Sequence, residues 1–363
     1  MESLFILLSL FYLFTLFSFI VGILQLSARR DSEIKPISII VAARNEAANI
    51  SALIDSILVQ DYPSSAFELI IADDRSSDHT AAIISNYCQQ HDFIRLVQIE
   101  REDPNLLGKK GAIDAAIKVA NYEILAFTDA DCKVGKGWLK QINAHFTDKT
   151  DFVAGYSYID LDHKFASGLK NLERAAIFAV TSGSFGNNWA LTCAAGNMAY
   201  RKSIYQKIGG FDETGKIRSG DDDLLLQKMG KHLRQMNFIF EQEAMVYTSN
   251  ANNLQSHLQR ESRRASKWRY YTKPIKTITL LIFLYYLLLI ITPILAIFSL
   301  FPWPTFLFFL LMKLCFEFGL LALFLGKIKA LKQLIYFPLA ELIYIPYFIY
   351  FGLRGTFGKY NWK

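Results

Sequence analysis

The sequence predicts an α/β protein: a mixed, mostly parallel sheet flanked by helices, with transmembrane helices at both ends. Three observations predict it. Short apolar runs alternate with amphipathic segments between residues 36 and 130, which is the rhythm of βαβ units. Acidic or polar clusters follow the first, second and fourth of those runs, where open α/β sheets bind their ligands. Both ends of the 363-residue chain are lipid-like while the middle is not, and 52% of all residues are hydrophobic.

Ser3 to Leu26 carries no charge and is long enough to cross a bilayer. A cleaved signal peptide would want a basic start and a shorter apolar run; here Glu2 precedes the run and Arg29-Arg30 follow it. An uncleaved anchor with its amino end outside is therefore expected. Ile37–Ala43 reads as a buried strand, and Ile50, Leu53, Ile54, Ile57 and Leu58 space as one helix face. Phe67–Ala72 is a second strand ending in Asp73-Asp74, followed by a helix over Ala81–Tyr87 and a strand over Ile94–Ile99. Gly108-Lys109-Lys110-Gly111 opens a helix through Ala120.

The next strand, Ile124 to Cys132, delivers two carboxylates. Residues two apart on an extended chain share a side, so Asp129 and Asp131 are expected to converge on one ion. Hard carboxylate oxygens suit Mg²⁺ or Mn²⁺, which such sites share with substrate phosphates. The competing reading of an isolated Asp-x-Asp is a solvated turn.

Beyond Asp151 a strand at Phe152–Ile159 and a helix around Ser167–Val180 are expected. Gly196 and Asn197 either line a pocket or form a turn. Asp221-Asp222-Asp223 precede Leu224-Leu225-Leu226, a pattern that capping of a helix would explain. Gln255 to Lys276 mixes Arg260, Arg263, Arg264, Lys267 and Arg269 with Leu258, Trp268, Tyr270 and Tyr271, as a helix at a membrane surface does. Thr277–Ser299 and Thr305–Leu325 are two further spans joined by Phe301-Pro302-Trp303-Pro304. Within the second, Lys313 and Glu317 lie four apart and can pair. Leu334–Leu353 is apolar enough to span, but Pro338, Glu341 and Pro346 favour an interfacial or re-entrant segment. The domain reading is an anchor over 1–28, a cytoplasmic domain over 29–275 and a membrane region over 276–363. Basic groups at Lys327, Lys329 and Lys332 place the middle of the chain in the cytoplasm.

The formal charge of +6 is modest and gathers beside the apolar segments, which points to lipid or phosphate and not to nucleic acid. Cys88, Cys132, Cys193 and Cys315 have neither paired nor metal-ligand spacing, and the six histidines have no ligand spacing.

Ile39-Ile40-Val41-Ala42-Ala43-Arg44-Asn45-Glu46 followed by Ala72-Asp73-Asp74-Arg75-Ser76-Ser77-Asp78 resembles the opening of family 2 glycosyltransferases with the GT-A fold. The resemblance continues through Gly108-Lys109-Lys110, Thr128-Asp129-Ala130-Asp131, Gly196-Asn197-Met198, Gly209-Gly210-Phe211-Asp212 and Gly220-Asp221-Asp222. It implies a membrane-bound inverting enzyme that moves a sugar from a nucleotide-sugar donor, a UDP-sugar, to a hydroxyl of a lipid-associated acceptor. Asp73 and Asp74 would lie beside base and ribose, with Asp74 the contact to the base. Lys110, or Lys109, would approach the diphosphate, and Asp129 and Asp131 would hold the metal bridged to it. Asp222 would be the general base, with Asp221 in place of the family's glutamate. Gly196, Asn197 and Asp221 would border the acceptor, and Arg263 would reach a phosphate.

The processive synthases of this family carry Gln-x-x-Arg-Trp before their membrane helices; here Arg260-Glu261-Ser262-Arg263-Arg264 keeps that arginine as Arg263 but has arginine in place of both the glutamine and the tryptophan. One or a few additions to a lipid acceptor are therefore expected, with the processive synthase as the alternative. A non-catalytic nucleotide-sensing membrane protein is the rival from another class. A nucleotidyltransferase would need a glycine-rich triphosphate loop after the first strand, which Ala42-Ala43-Arg44-Asn45-Glu46 is not.

Overall fold

A computed structural model describes residues 1–26, 30–159, 165–248 and 254–358, leaving out the side chains of 254–257, 259 and 260. Arg29 and the side chains of Gln255 and Arg260, used above, lie outside the described residues, as do His163 and the side chain of His257 among the six histidines. The chain divides into two compact units.

One unit comprises residues 26–160 and 184–250. Its elements begin after the first helix of the chain, α1 (Glu2–Gln25), which belongs to the other unit. They run β1 (Ile37–Ala43), α2 (Ile50–Leu58), β2 (Phe67–Asp74), α3 (Thr80–Gln90), β3 (Ile94–Ile99), α4 (Lys109–Val119), β4 (Ile124–Phe127), β5 (Cys132–Val134) and α5 (Trp138–His145). β6 (Phe152–Gly155) and β7 (Ser157–Ile159) come next. After α6 (Phe165–Gly186), which continues into the other unit, the chain forms β8 (Met198–Arg201), α7 (Lys202–Lys207), α8 (Asp223–Met229), β9 (Met236–Ile239) and β10 (Val246–Thr248). Seven strands make one sheet in the order β3-β2-β1-β4-β8-β6-β9, and β5-β10-β7 make a small second sheet.

β3, β2, β1 and β4 are mutually parallel, and β8 enters antiparallel between β4 and β6. The expected mixed, mostly parallel sheet is present. Helices cover it because β1 and β2 are mostly apolar and almost entirely buried, as strands covered on both faces must be. Ile50, Leu53, Ile54 and Ile57 of α2 bury the face that their spacing predicts.

One local reading is corrected. The strand ends at Phe127, and Thr128–Asp131 is not extended. The backbone turns there, with Cys132 N–H donating to the Asp129 carbonyl at 3.0 Å. A turn, and not strand alternation, brings Asp129 and Asp131 together.

The other unit comprises 1–25, 161–183 and 251–363. The basic stretch and part of α6 thus pack with the apolar helices, whereas the sequence reading put both in the 29–275 domain. α9 (Leu254–Ser266) is followed by a 3₁₀ turn over Lys267–Tyr270, then α10 (Lys273–Ile297), α11 (Trp303–Lys327) and α12 (Phe337–Phe357). Four helical segments are long and apolar enough to cross a membrane: Glu2–Gln25, Lys273–Ile297, Trp303–Lys327 and Leu331–Phe357. The last meets that length although an interfacial or re-entrant segment was expected. Pro338 falls in the first turn of α12, where its missing N–H costs nothing, and Pro346 is carried inside the helix.

Inside this bundle the expected Lys313–Glu317 pair is part of a larger network. Lys313 Nζ is fully buried and donates to Glu317 Oε2 at 2.6 Å and to Glu341 of α12. The hydroxyl groups of Tyr12 in α1 and Tyr286 in α10 donate to Glu317 Oε1. All four long apolar helices therefore meet at one ionic cluster. Lys313→Leu would strand two carboxylates without a cation and is expected to destabilise the detergent-purified protein by about 3 kcal/mol or more. Adding Glu317→Leu and Glu341→Leu should restore most of the thermal midpoint. A single variant as stable as the parent would show that the cluster does not hold the helices together.

Candidate active site

The site assembles at the carboxyl ends of β1, β2 and β4, within the first unit. Lys109 at the start of α4 is its centre. Its ammonium donates to Asp129 Oδ1 and lies 3.5 Å from Asp221 Oδ2. Burial opposes the Lys109 charge, but Asp129, Asp221 and Asp222 outweigh it and hold the ammonium well above the usual lysine range. Four acidic residues from separate places in the chain thus converge: Asp129 and Asp131 from the β4–β5 turn, Asp221 and Asp222 from the loop before α8.

Asp129, Asp131 and Cys132 present ligand atoms all within 4.8 Å of one another, the group among the described residues that could hold a metal ion. Burial, then the Asp129 charge, pushes the Asp131 carboxyl upward. Burial, then Asp129 and Asp131, pushes the Cys132 thiol far above its ordinary range, so it stays a neutral, poor ligand for a hard ion. Two close carboxylates of raised charge density fit Mg²⁺ or Mn²⁺. Glu46, quoted in the motif but given no role, belongs to the same cluster. Burial raises its carboxyl, Asn49 opposes, and Asp131 and Asp129 add to the rise.

Two glycines shape the site. A Cβ on Gly196 would sit 3.2 Å from Asp129 Oδ2, a tight contact to which that carboxylate would have to give way. Gly220 has φ +82°, and a Cβ there would lie 2.4 Å from Leu224 Cδ1. It turns the chain so that Asp221 faces Lys109 while Asp222 caps α8, its Oδ1 accepting from Asp223 N–H at 2.7 Å.

Three expectations change. Lys110 is buried, its Nζ donating to the Thr214 carbonyl at 2.6 Å and lying 5.6 Å from the centre of the Phe211 ring. Adjacent helical residues point about 100° apart, so only one of the pair can face the carboxylates, and it is Lys109. Asn197 does not border a pocket for an acceptor. It is 1% exposed, its Oδ1 accepts from Trp138 Nε1 at 2.9 Å, and its Nδ2 donates to the carbonyls of Tyr156 and Ala244. It ties the β5–α5 region to β6, β10 and β8. Asp74 is already paired, with Oδ1 2.9 Å from Arg75 Nε and Oδ2 3.7 Å from Arg44 Nη1. Asp73 instead keeps a buried Oδ1 with no hydrogen-bond partner. Arg263 is exposed on α9 of the other unit.

These placements separate two lysines by experiment. Lys110→Met should lower stability by about 2 kcal/mol while changing nucleotide affinity little. Lys109→Met should weaken nucleotide binding roughly tenfold and leave the thermal midpoint near that of the parent. Paired thermal melts and nucleotide titrations would reverse the assignment if the effects were exchanged. Asn197→Ala should cost about 2 kcal/mol, because it leaves the Trp138 N–H and two carbonyls unsatisfied in the core.

Comparison with known proteins identifies the family. Residues 124–349 match the model of glycosyl transferase family group 2, and residues 38–209 match that of glycosyl transferase family 2. A probable glycosyltransferase, YdaM, of Bacillus subtilis is 24% identical over 207 residues, 56% of this chain and 49% of its own length. A beta-monoglucosyldiacylglycerol synthase of Trichormus variabilis is 32% identical over 106 residues, 29% of this chain and 22% of its own. The chain thus spans half or less of the length of these relatives. Among solved structures, the mannosyltransferase PcManGT of Pyrobaculum calidifontis, in complex with GDP-Man and Mn²⁺, superposes with a TM-score of 0.58 at 16% identity over 99% of both chains. That likeness concerns the fold.

Proposed function

The chain belongs to the family 2 glycosyltransferases, and from that premise we propose that it is a membrane-bound inverting transferase. It moves a sugar from a nucleotide-sugar, a UDP-sugar, to a hydroxyl of a lipid-associated acceptor. The observation that carries this reading is the convergence of Asp129, Asp131, Asp221 and Asp222 on Lys109. Acid pairs that serve only as helix caps have no reason to meet across a sheet edge.

In this reading Asp129 and Asp131 hold Mg²⁺ or Mn²⁺, which supplies Lewis-acid neutralisation of the departing diphosphate. Lys109 adds a point charge at the same diphosphate, exchanging its contact with Asp129 for one with phosphate oxygen. Asp73 accepts from the base or ribose through the oxygen left without a partner, and Asp74 steadies that end through Arg75 and Arg44. Asp222 takes the proton of the incoming hydroxyl while the sugar carbon is attacked opposite the diphosphate, which inverts the anomeric centre. Gly196 leaves room beside Asp129 for the sugar, and Arg263 is a candidate phosphate contact. An apolar helix at the amino end and three at the carboxyl end, each long enough to cross a bilayer, support a multi-pass protein of the cell membrane. The basic flank at Arg30 and the group at Lys327, Lys329 and Lys332 put the catalytic domain in the cytoplasm.

The test is a donor screen. Purified full-length protein with Mn²⁺ is offered UDP-sugars and GDP-mannose together with membrane lipid extract, and the lipids are analysed by mass. One donor should yield a lipid heavier by one or a few sugars. A long polymer would identify a processive synthase instead. Nucleotide binding with neither hydrolysis nor transfer across the panel would identify a sensor.

A further inference from the structure

The helical unit contains a cavity of 430 Å³, far from featureless in its chemistry. It lies among α6, α9, the turn after α9, α10 and α12. Its wall is mostly apolar and aromatic, with Leu280, Phe283, Phe348 and Phe351 on the two long helices. Its volume falls in the range of small-molecule sites. One part of the lining is charged. Arg264 Nη1 lies 3.0 Å from Glu261 Oε2 and 3.9 Å from Glu173 Oε1, and the Tyr347 hydroxyl donates to Glu173 at 3.4 Å. The Arg264 side chain is 45% exposed, so this polar end is reachable.

The charge balance of that polar end is the informative feature. Two carboxylates and one guanidinium line the cavity, and the guanidinium is already shared between them. Arg174 contributes to the field at Glu173 but is held against the Phe178 ring and is not part of the lining. Burial, then the Glu261 charge, raises the Glu173 carboxyl. Burial opposes the Arg264 charge, and Glu261 and Glu173 outweigh it. A phosphate brought here would meet two acids and a cation with little capacity left. A hydroxyl donates to a carboxylate without that penalty, and the flanking rings of Trp268 and Tyr347 suit a polyol.

We propose that this cavity binds the lipid acceptor itself, and that the acceptor is an uncharged, hydroxyl-bearing lipid of the diacylglycerol or glycolipid type, not a polyprenyl phosphate. Its hydrocarbon lies along the phenylalanine wall and its hydroxylated head sits at Glu173, Glu261 and Arg264. The assignment rests on the transferase reading above and narrows it to one substrate class.

The test uses the full-length protein in nanodiscs of zwitterionic phospholipid, with no nucleotide present. A diacylglycerol bearing a diazirine in its acyl chain is photolysed, and labelled peptides are mapped. Labels should fall on α10 and α12, and unlabelled diacylglycerol should compete at least tenfold better than polyprenyl phosphate. Equal or better competition by polyprenyl phosphate, or labels confined to other segments, would overturn the proposal. Glu173→Gln with Glu261→Gln should reduce labelling roughly tenfold, and Phe348→Ala, which leaves the ion pairs intact, should reduce it as well. Undiminished labelling in both variants would also overturn it. Mn²⁺-dependent nucleotide binding is measured separately on the same sample, so a failure of the transferase reading is seen apart from a failure of the lipid assignment.

Discussion

Asp131→Ala and Asp129→Ala are each expected to cut sugar transfer about a thousandfold, the consequence of losing several kcal/mol of charge neutralisation at the leaving diphosphate. Both should also abolish the gain in nucleotide affinity that Mn²⁺ confers. The two variants differ in one respect that the geometry makes specific. Asp129 holds the Lys109 ammonium directly, whereas Asp131 does not. Removing Asp129 frees Lys109 for the phosphates, so metal-independent nucleotide binding should rise slightly in Asp129→Ala. In Asp131→Ala it should stay as in the parent, because the Lys109–Asp129 pair survives. Titration of UDP with and without Mn²⁺, alongside transfer rates, reads all of this. Metal-dependent binding that persists in both variants would remove the turn after β4 from the metal site.

How far the site could be read in advance depended on whether backbone or side-chain packing decided it. The strands β1 and β2 and the helix α2 were legible because apolar pattern and burial largely agree along them. The end of β2 was legible because its acids close a buried strand, whereas β4 stops at Phe127, short of Asp129 and Asp131. What failed was orientation within a pair. Lys109 and Lys110 have the same chemistry in sequence, and only the packing of α4 against Phe211 and the Thr214 carbonyl chooses between them. Asn197 sits in a motif beside Gly196, yet its amide completes hydrogen bonds from three other places in the chain, none near in sequence. Glu341 reads as a flaw in a span until the fold brings Lys313 to it from 28 residues away. Long-range partners of polar groups leave no local pattern, so residues whose role depends on them were misplaced or overlooked.

The choice between Asp221 and Asp222 as the base follows from the same distinction and can be put to a clean experiment. Asp222 is the N-cap of α8, and asparagine caps a helix as well as aspartate does. Asp222→Asn therefore keeps the hydrogen bond to Asp223 N–H and the shape of the side chain while removing proton-accepting capacity. Transfer should fall by about 10²–10⁴-fold, with the thermal midpoint and Mn²⁺-dependent nucleotide affinity nearly unchanged. Asp221→Asn acts differently. Its Oδ2 lies 3.5 Å from Lys109 and is otherwise without a hydrogen-bond partner, so the change mainly releases charge from the lysine. Nucleotide affinity should shift there, and transfer should fall less steeply than in Asp222→Asn. If Asp221→Asn alone eliminates transfer with binding intact, the base lies one residue earlier and Asp222 serves the helix. If both variants lose nucleotide binding equally, neither carboxylate faces the incoming hydroxyl, and the loop before α8 belongs to the donor side of the site.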